Sequence, residues 1–303
     1  HGKTTFLDQY LQAHAVVNGV KTAIYSPENP PLESIVPAIQ RLLGKPIANR
    51  ADDVPVAEVE MAMAFLDDHI FYIMPEGEGH SDQNGLSLEE ILEQAKKLIR
   101  AKGIKVLVID PWNTIEHSIL PGENKNDYIS RSLGKLSLFA KRYDVTVILV
   151  AHPTKMNANT FQTNKQDKES LNIYRRPSLY DISDSAHFFN KADVGICIYR
   201  DNDNEVTEVN IQKMKFSWKG HTGRVLLRYQ EQTNRFASAE EGYYPAAWVP
   251  SDKYLNQSAQ NEEVEVPDVR MSFLMPKTEE PEVRKVVLKV QEIQFEGDFL
   301  APF

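Results

Sequence analysis

The chain has 303 residues, 42% of them apolar, with a single cysteine and a formal net charge of −9. That length supports one large domain or two small ones around a sizeable core. No apolar run reaches the ~18 residues that a membrane-crossing helix needs, no basic-then-apolar leader stands at the start, and Cys197 alone excludes a disulfide framework or a cysteine zinc cluster. A cytosolic protein is the simple reading. The acidic balance by itself favours an enzyme that does not handle nucleic acid, although much of the acid sits around Glu262, Glu263, Glu265 and Asp268.

In chain order, the pattern predicts a helix over about 5–18, ended by Gly19, and a strand over 20–25. Helices follow over about 32–43 and 56–67, then a strand over 69–74. A polar, glycine-containing loop spans 75–85. Ser87 with Glu90 three residues later is a capping-box signature for a helix reaching about 101. The continuous apolar run 106–109 reads as a strand covered on both faces. A helix over 127–143, apolar at Ile129, Leu133, Leu136 and Ala140, leads to a second buried strand over 145–150. Strand and helix alternate this far, which predicts a parallel α/β sheet. The pattern then changes. A long polar loop occupies 153–180. A short helix near 183–190 leads to strands near 193–200, 205–213, 222–230 and 234–237. Their turns, Asp201-Asn202-Asp203-Asn204 and Lys219-Gly220-His221 among them, predict antiparallel hairpins. Residues 251–303 form an acidic, proline-bearing tail expected to be largely disordered, with one candidate strand over 286–295.

Four segments carry chemistry. The chain opens His1-Gly2-Lys3-Thr4 and runs into a helix, the end of a G-x-x-x-x-G-K-[ST] phosphate loop whose first four positions are not in the chain. Backbone N–H groups and the helix N-terminus of such a loop hold phosphates. Lys3 is placed to reach them and the Thr4 hydroxyl to bind Mg2+, with Gly2 and Thr5 completing the nucleotide contact. The chain is thus expected to begin inside its own phosphate loop, to lack the strand before it, and to be a poor ATPase as it stands. Second, the strand Val106-Leu107-Val108-Ile109 ends in Asp110, the form of a carboxylate that orients Mg2+ at the C-terminal edge of a parallel sheet. Third, Glu28 in Tyr25-Ser26-Pro27-Glu28 stands just past the strand after the phosphate loop. It is either an ordinary surface glutamate or the group that orients the attacking water. Fourth, His152 ends Val147-Ile148-Leu149-Val150-Ala151-His152. It is either a satisfied structural histidine or a group that senses the γ-phosphate.

Taken in this order, the segments resemble the RecA-like motor of DnaB-type hexameric replicative helicases, closest in character to the phage and mitochondrial branch often fused to a primase or TOPRIM domain. Asp181-Ile182-Ser183-Asp184-Ser185 through Asn190-Lys191-Ala192-Asp193 is similar to the motif that follows the DNA-binding loop in that family. Lys213-Met214-Lys215, before a hairpin ending Asn234-Arg235-Phe236, resembles the segment that reaches the neighbouring subunit's ATP. The likeness covers roughly residues 1–240.

The resemblance implies a RecA-like P-loop NTPase fold, a mostly parallel sheet flanked by helices with C-terminal antiparallel hairpins, in an ATPase domain over 1–250 ahead of the tail. It implies ATP and Mg2+, single-stranded DNA, a homo-hexamer with ATP between subunits, a primase partner, fused or separate, and 5′-to-3′ unwinding in a bacterial or phage-infected cytoplasm, with mitochondria the alternative. Lys3 and Thr4 match the phosphate-loop pair, Glu28 the catalytic glutamate, Asp110 the Mg2+ aspartate and His152 the sensor. Lys213 matches the basic residue two before the trans-acting arginine. Lys215 stands where the family has that arginine and lacks its planar fork, so either Lys215 or Arg224 takes the role. DNA contact is expected from residues 113–126 and from the loop 153–178, through Lys155, Lys165, Lys168, Arg175 and Arg176 with Phe161 and Tyr174 between. On composition alone the second loop is a solvated polar segment, but loops this long inside a compact domain are commonly functional. The rival functions are a RecA-like or RadA-like DNA-stimulated ATPase of recombination, a non-catalytic scaffold, and a non-unwinding P-loop ATPase such as a kinase.

Overall fold

The computed structural model describes residues 2–29, 31–47, 54–75, 85–153, 159–162, 170–173, 176–182, 186–201 and 205–239. The chain divides into residues 1–250 and 251–303, and the expected tail lies outside the described residues.

Helix α1 (Lys3–Asn18) begins at Gly2 and stops at Gly19, whose φ of 62° is a left-handed cap that only glycine adopts freely. Strand β1 (Thr22–Tyr25), helices α2 (Pro31–Leu43) and α3 (Val56–His69) and strand β2 (Ile70–Tyr72) follow. Helix α4 (Leu88–Lys102) carries the expected capping box. The Ser87 N–H donates to Glu90 Oε2 at 2.8 Å, and the Glu90 N–H donates to Ser87 Oγ at 3.3 Å. Strand β3 (Val106–Ile109), helix α5 (Lys125–Tyr143) and strand β4 (Thr146–Leu149) complete a four-stranded, all-parallel sheet ordered β2-β1-β3-β4.

Both faces of this sheet are covered, which explains why β3 shows no polar alternation. Leu107 and Ile109 point into one core with Tyr25, Ile91, Ala95, Ile129 and Leu136, while Val108 points into the other with Leu7, Leu11, Ile24 and Val150. Each buried aliphatic side chain contributes about 1.5–3 kcal/mol over leaving it exposed. Gly85 sits where a Cβ would lie 2.2 Å from the Thr114 carbonyl oxygen and 2.9 Å from the Tyr25 hydroxyl. Only glycine lets this segment pass over Tyr25, whose hydroxyl accepts from the Leu86 N–H at 2.9 Å.

The second half of the described chain differs from the sequence pattern in one respect. Inside the expected loop 153–180, strands β5 (Asn159–Gln162) and β6 (Ser170–Ile173) form an antiparallel pair. Each is four residues long and interrupted by Asn, Gln or Ser, too short a run to carry a strand signal. Helix α6 (His187–Lys191) then leads to β7 (Val194–Asp201), β8 (Val206–Met214), β9 (Gly223–Gln230) and β10 (Arg235–Ser238), an antiparallel sheet ordered β10-β9-β8-β7.

Candidate nucleotide site at the edge of the parallel sheet

A parallel sheet brings the C-terminal ends of its strands to one edge. The Asp110 N–H donates to Tyr25 O at 2.9 Å and the Val150 N–H to Ile109 O at 2.9 Å. The segments after β1, β3 and β4 therefore lie side by side, next to the start of α1.

Five of the expected residues meet there. The Thr4 hydroxyl donates to Asp110 Oδ2 at 2.8 Å. Lys3 Nζ lies 3.4 Å from His152 Nδ1, and His152 Nε2 lies 4.0 Å from Glu28 Oε2. Glu28 and His152 are each about half exposed, whereas Asp110 is buried. Burial pushes the Asp110 carboxyl above its ordinary range and Glu28 adds to the rise; the Thr4 hydrogen bond, Lys3 and His152 oppose it. Gly2 holds φ at 93° at the start of α1, with Thr5 beside Thr4 in the first turn. This is an anion-binding helix start beside a lysine and a pair of hard oxygen donors. Two protein oxygens suit Mg2+, which keeps several waters and takes its other ligands from substrate phosphates.

Beneath Thr4 and Asp110 lies a cavity of about 20 Å³ that Asp8, Ser26, Asn29, Ser34 and Tyr72 also line. Asp8, one turn after Thr4 on α1, pairs with Arg41 Nη2 at 3.5 Å. Burial raises the Asp8 carboxyl to about 6 against the pull of Arg41, with Asp110 adding to the rise, and the Tyr72 phenol is pushed up to about 12 for the same leading reason. Arg41 Nε donates to Asn234 O at 3.2 Å, Arg235 Nε donates to Arg41 O at 2.7 Å, and Gln9 exchanges two hydrogen bonds with the Phe236 backbone. The phosphate-loop helix is thus bolted to the β9–β10 hairpin. Sequence reading missed this group, although the four-residue spacing from Thr4 to Asp8 puts both on one helix face.

The basic candidates further along the chain are not part of this cluster. Lys213 Nζ donates to the Phe189 carbonyl oxygen and, at 3.2 Å, to Asn190 O, so it caps the end of α6. Lys215 Nζ pairs with Asp193 Oδ1 at 2.8 Å, half-exposed, at the end of β8. Arg224 on β9 lies 3.8 Å from buried Glu208, which Arg176 also approaches at 3.2 Å. Lys155, Lys165, Lys168 and Arg175 lie outside the described residues. The other expected DNA segment, 113–126, sets one lysine, Lys125, against Glu116 and Glu123. Arg131 holds Glu123 through two 2.8 Å hydrogen bonds.

The chain is similar to known proteins along most of this length. Residues 1–238 match the DnaB-like helicase C-terminal domain. The Twinkle homolog protein, chloroplastic/mitochondrial, of Arabidopsis thaliana is 28% identical over 250 residues, covering 78% of this chain and 32% of that protein. The replicative DNA helicase DnaC of Bacillus subtilis is 25% identical over 197 residues, covering 64% of this chain and 39% of the relative. The chain therefore spans between a third and two fifths of the length of these relatives. Two solved structures share the fold. One, an ATPase domain solved by itself, superposes with a TM-score of 0.58 at 20% identity, over 78% of this chain and 80% of that one. A DnaB-like replicative helicase, solved in a study of its interactions with primase, gives 0.59 at 22%, over 78% and 56%. The match over residues 1–238, with the phosphate-loop and acidic-strand residues brought together at one sheet edge, places the chain in the DnaB-like helicase C-terminal domain family.

Proposed function

We propose that this chain is the ATP-hydrolysing motor, residues 1–250, of a ring helicase that unwinds duplex DNA during replication by moving 5′-to-3′ along one strand. The observation that carries the reading is the convergence of Lys3, Thr4, Glu28, Asp110 and His152 on one sheet edge. In this reading Gly2, Lys3, Thr4 and Thr5 hold the ATP phosphates. Thr4 and Asp110 hold Mg2+, which when bound neutralises charge on the β- and γ-phosphates. Glu28 orients the attacking water, and His152 reports the γ-phosphate. A carboxylate, a lysine and a histidine on one open edge is an arrangement that can bind a triphosphate and hydrolyse it.

The site is completed in trans. Lys215 sits at the end of a rigid strand with its charge on a half-exposed partner that a phosphate can replace. It is therefore our choice for the residue given to the neighbour's ATP, with Lys213 as its strut. Arg224, tied to Glu208, is the alternative. The loop 153–178 provides the DNA contact, and the partners are five further copies and a primase, fused or separate. The compartment is the cytoplasm of a bacterial or phage-infected cell, an organelle being the alternative that the plant relative brings. Residues 251–303 are a tail outside the motor.

The test uses the full-length protein on a forked duplex with a 5′ single-stranded arm. Strand displacement that needs hydrolysable ATP and a 5′ arm is expected. ATP hydrolysis stimulated by single-stranded DNA without displacement would instead assign a RecA-like recombination ATPase, and no hydrolysis at all a scaffold.

A further inference from the structure

The excursion between β4 and α6 is closed at its neck. Pro153 and Ile182 form an isolated antiparallel bridge. The upstream end of the neck follows directly on His152, and so on the chain's own nucleotide site. The downstream end is held by a different part of the molecule.

Gln212 of β8 donates from Nε2 to Pro177 O at 3.0 Å, and its Oε1 accepts from the Leu179 N–H at 2.9 Å. One side-chain amide thus satisfies a carbonyl and an N–H two residues apart, as a paired strand does. The Cys197 thiol donates to the same Pro177 oxygen at 3.2 Å, and burial, pushing that thiol up to about 11, keeps it a donor. Arg176 reaches Glu208 on the same strand as Gln212. Leu179 leans on Gly195, where a Cβ would come within 2.1 Å of Leu179 Cδ1, so the two segments are in direct contact with no room for a side chain between them. The strand that makes this clamp is paired on both sides, by β7 and β9, and runs straight on to Lys213 and then to Lys215 just past its end.

We propose that Gln212 is a positioning residue that couples the downstream end of the excursion to the Lys213–Lys215 end of β8. A pull on the excursion by a bound single strand is then passed, along a strand too stiff to absorb it, to the lysine offered to the neighbouring subunit. The two ends of the excursion answer to different nucleotide sites, the upstream end to its own through His152 and the downstream end to the neighbour's through Gln212. This inference rests on the reading above that the excursion meets DNA and that Lys215 acts in trans. The physical basis is geometric. Two bonds from one short, planar amide to two backbone groups transmit a displacement, whereas a single bond can pivot.

The experiment uses the full-length protein and a fluorescein-labelled oligothymidylate. Gln212→Met keeps the volume and removes both bonds. ATPase without DNA and oligothymidylate affinity are expected to stay within about threefold of the parent, while stimulation of ATPase by saturating oligothymidylate falls about 10-fold. Cys197→Ala removes only the third bond on Pro177 O and should lower stimulation about twofold in the same direction. Unchanged stimulation in Gln212→Met overturns the inference. So does a fall in unstimulated ATPase as large as the fall in stimulation, because a mere staple would lower both. Should Gln212→Met not fold, unchanged stimulation in Cys197→Ala overturns it instead. A parent protein that oligothymidylate does not stimulate would sink the DNA reading, and that outcome is visible before any variant is made.

Discussion

The two larger sheets of this molecule present charged residues in opposite ways. In the parallel half, side chains far apart in sequence are brought together by strand ends. Thr4 and Asp110 are 106 positions apart and hydrogen-bonded, and Lys3 and His152 are 149 apart and adjacent. They face a common space and partner one another. In the antiparallel half, the basic candidates among the described residues are engaged locally, Lys213 on the end of α6, Lys215 on Asp193, and Arg224 with Arg176 on Glu208. The first half is a site assembled within one chain. The second is a set of charges held ready at a strand end, which become a site only against something else.

The contrast can be broken most sharply at the parallel edge. Glu28→Gln removes a group that acts on water rather than on phosphate. ATP hydrolysis by the full-length protein should fall by about 10⁴-fold with nucleotide affinity, read by equilibrium binding, largely kept. Lys3→Ala should weaken binding itself. Equal loss of affinity in both variants would remove Glu28 from that role.

The next largest effect tests whether the antiparallel half works in trans. Lys215→Ala should cut DNA-stimulated ATPase by about 10³-fold and leave assembly, measured by sedimentation, unchanged. Lys215→Arg should keep or raise activity through its bidentate fork. In mixed rings, a Lys215→Ala subunit should hydrolyse ATP when its neighbour supplies Lys215, and a Lys3→Ala subunit should not be rescued. An inactive Arg224→Ala beside a near-normal Lys215→Ala would move the trans role to Arg224.

A smaller effect concerns the salt dependence of DNA binding. Replacing Lys165, Lys168 and Arg175 by alanine should lower the slope of log affinity against log salt by about 0.7 for each phosphate no longer neutralised. Arg176 already answers Glu208. Arg176→Ala alone should therefore leave the slope where it was, and a drop equal to that of the others would return Arg176 to the DNA-binding set.

The smallest effect lies at the junction of the halves. Asp8, raised by burial to about 6, is ionised at a cost in the folded chain. Because its folded value lies above the ordinary carboxylate value near 4, its stabilising contribution is full below pH 4 and is lost as pH rises through 6. The melting temperature of the parent should drift down between pH 4 and 7, and Asp8→Asn should flatten that drift. A parallel drift in both proteins would show that another group titrates.

Much of this fold was legible in the residues because its rules are local. The capping box at Ser87 and Glu90, the glycine at 19 and the unbroken apolar run before Asp110 each act within a few positions, and each element formed where its pattern stood. Their order along the chain was enough to resemble a family, and the family match covers residues 1–238. Only tertiary structure decided the rest. In the hairpin β5–β6, two four-residue segments become strands through pairing with each other, not through any run of apolar residues. The partners of Lys213, Lys215 and Arg176 sit 22 to 32 positions away on other elements, where no periodicity links them. The bolts from Gln9 and Arg41 to the β9–β10 hairpin span more than 190 positions. Periodicity encodes which face of an element is buried. Which charged side chain across the fold it then meets depends on how elements pack, and that is settled by the whole chain at once.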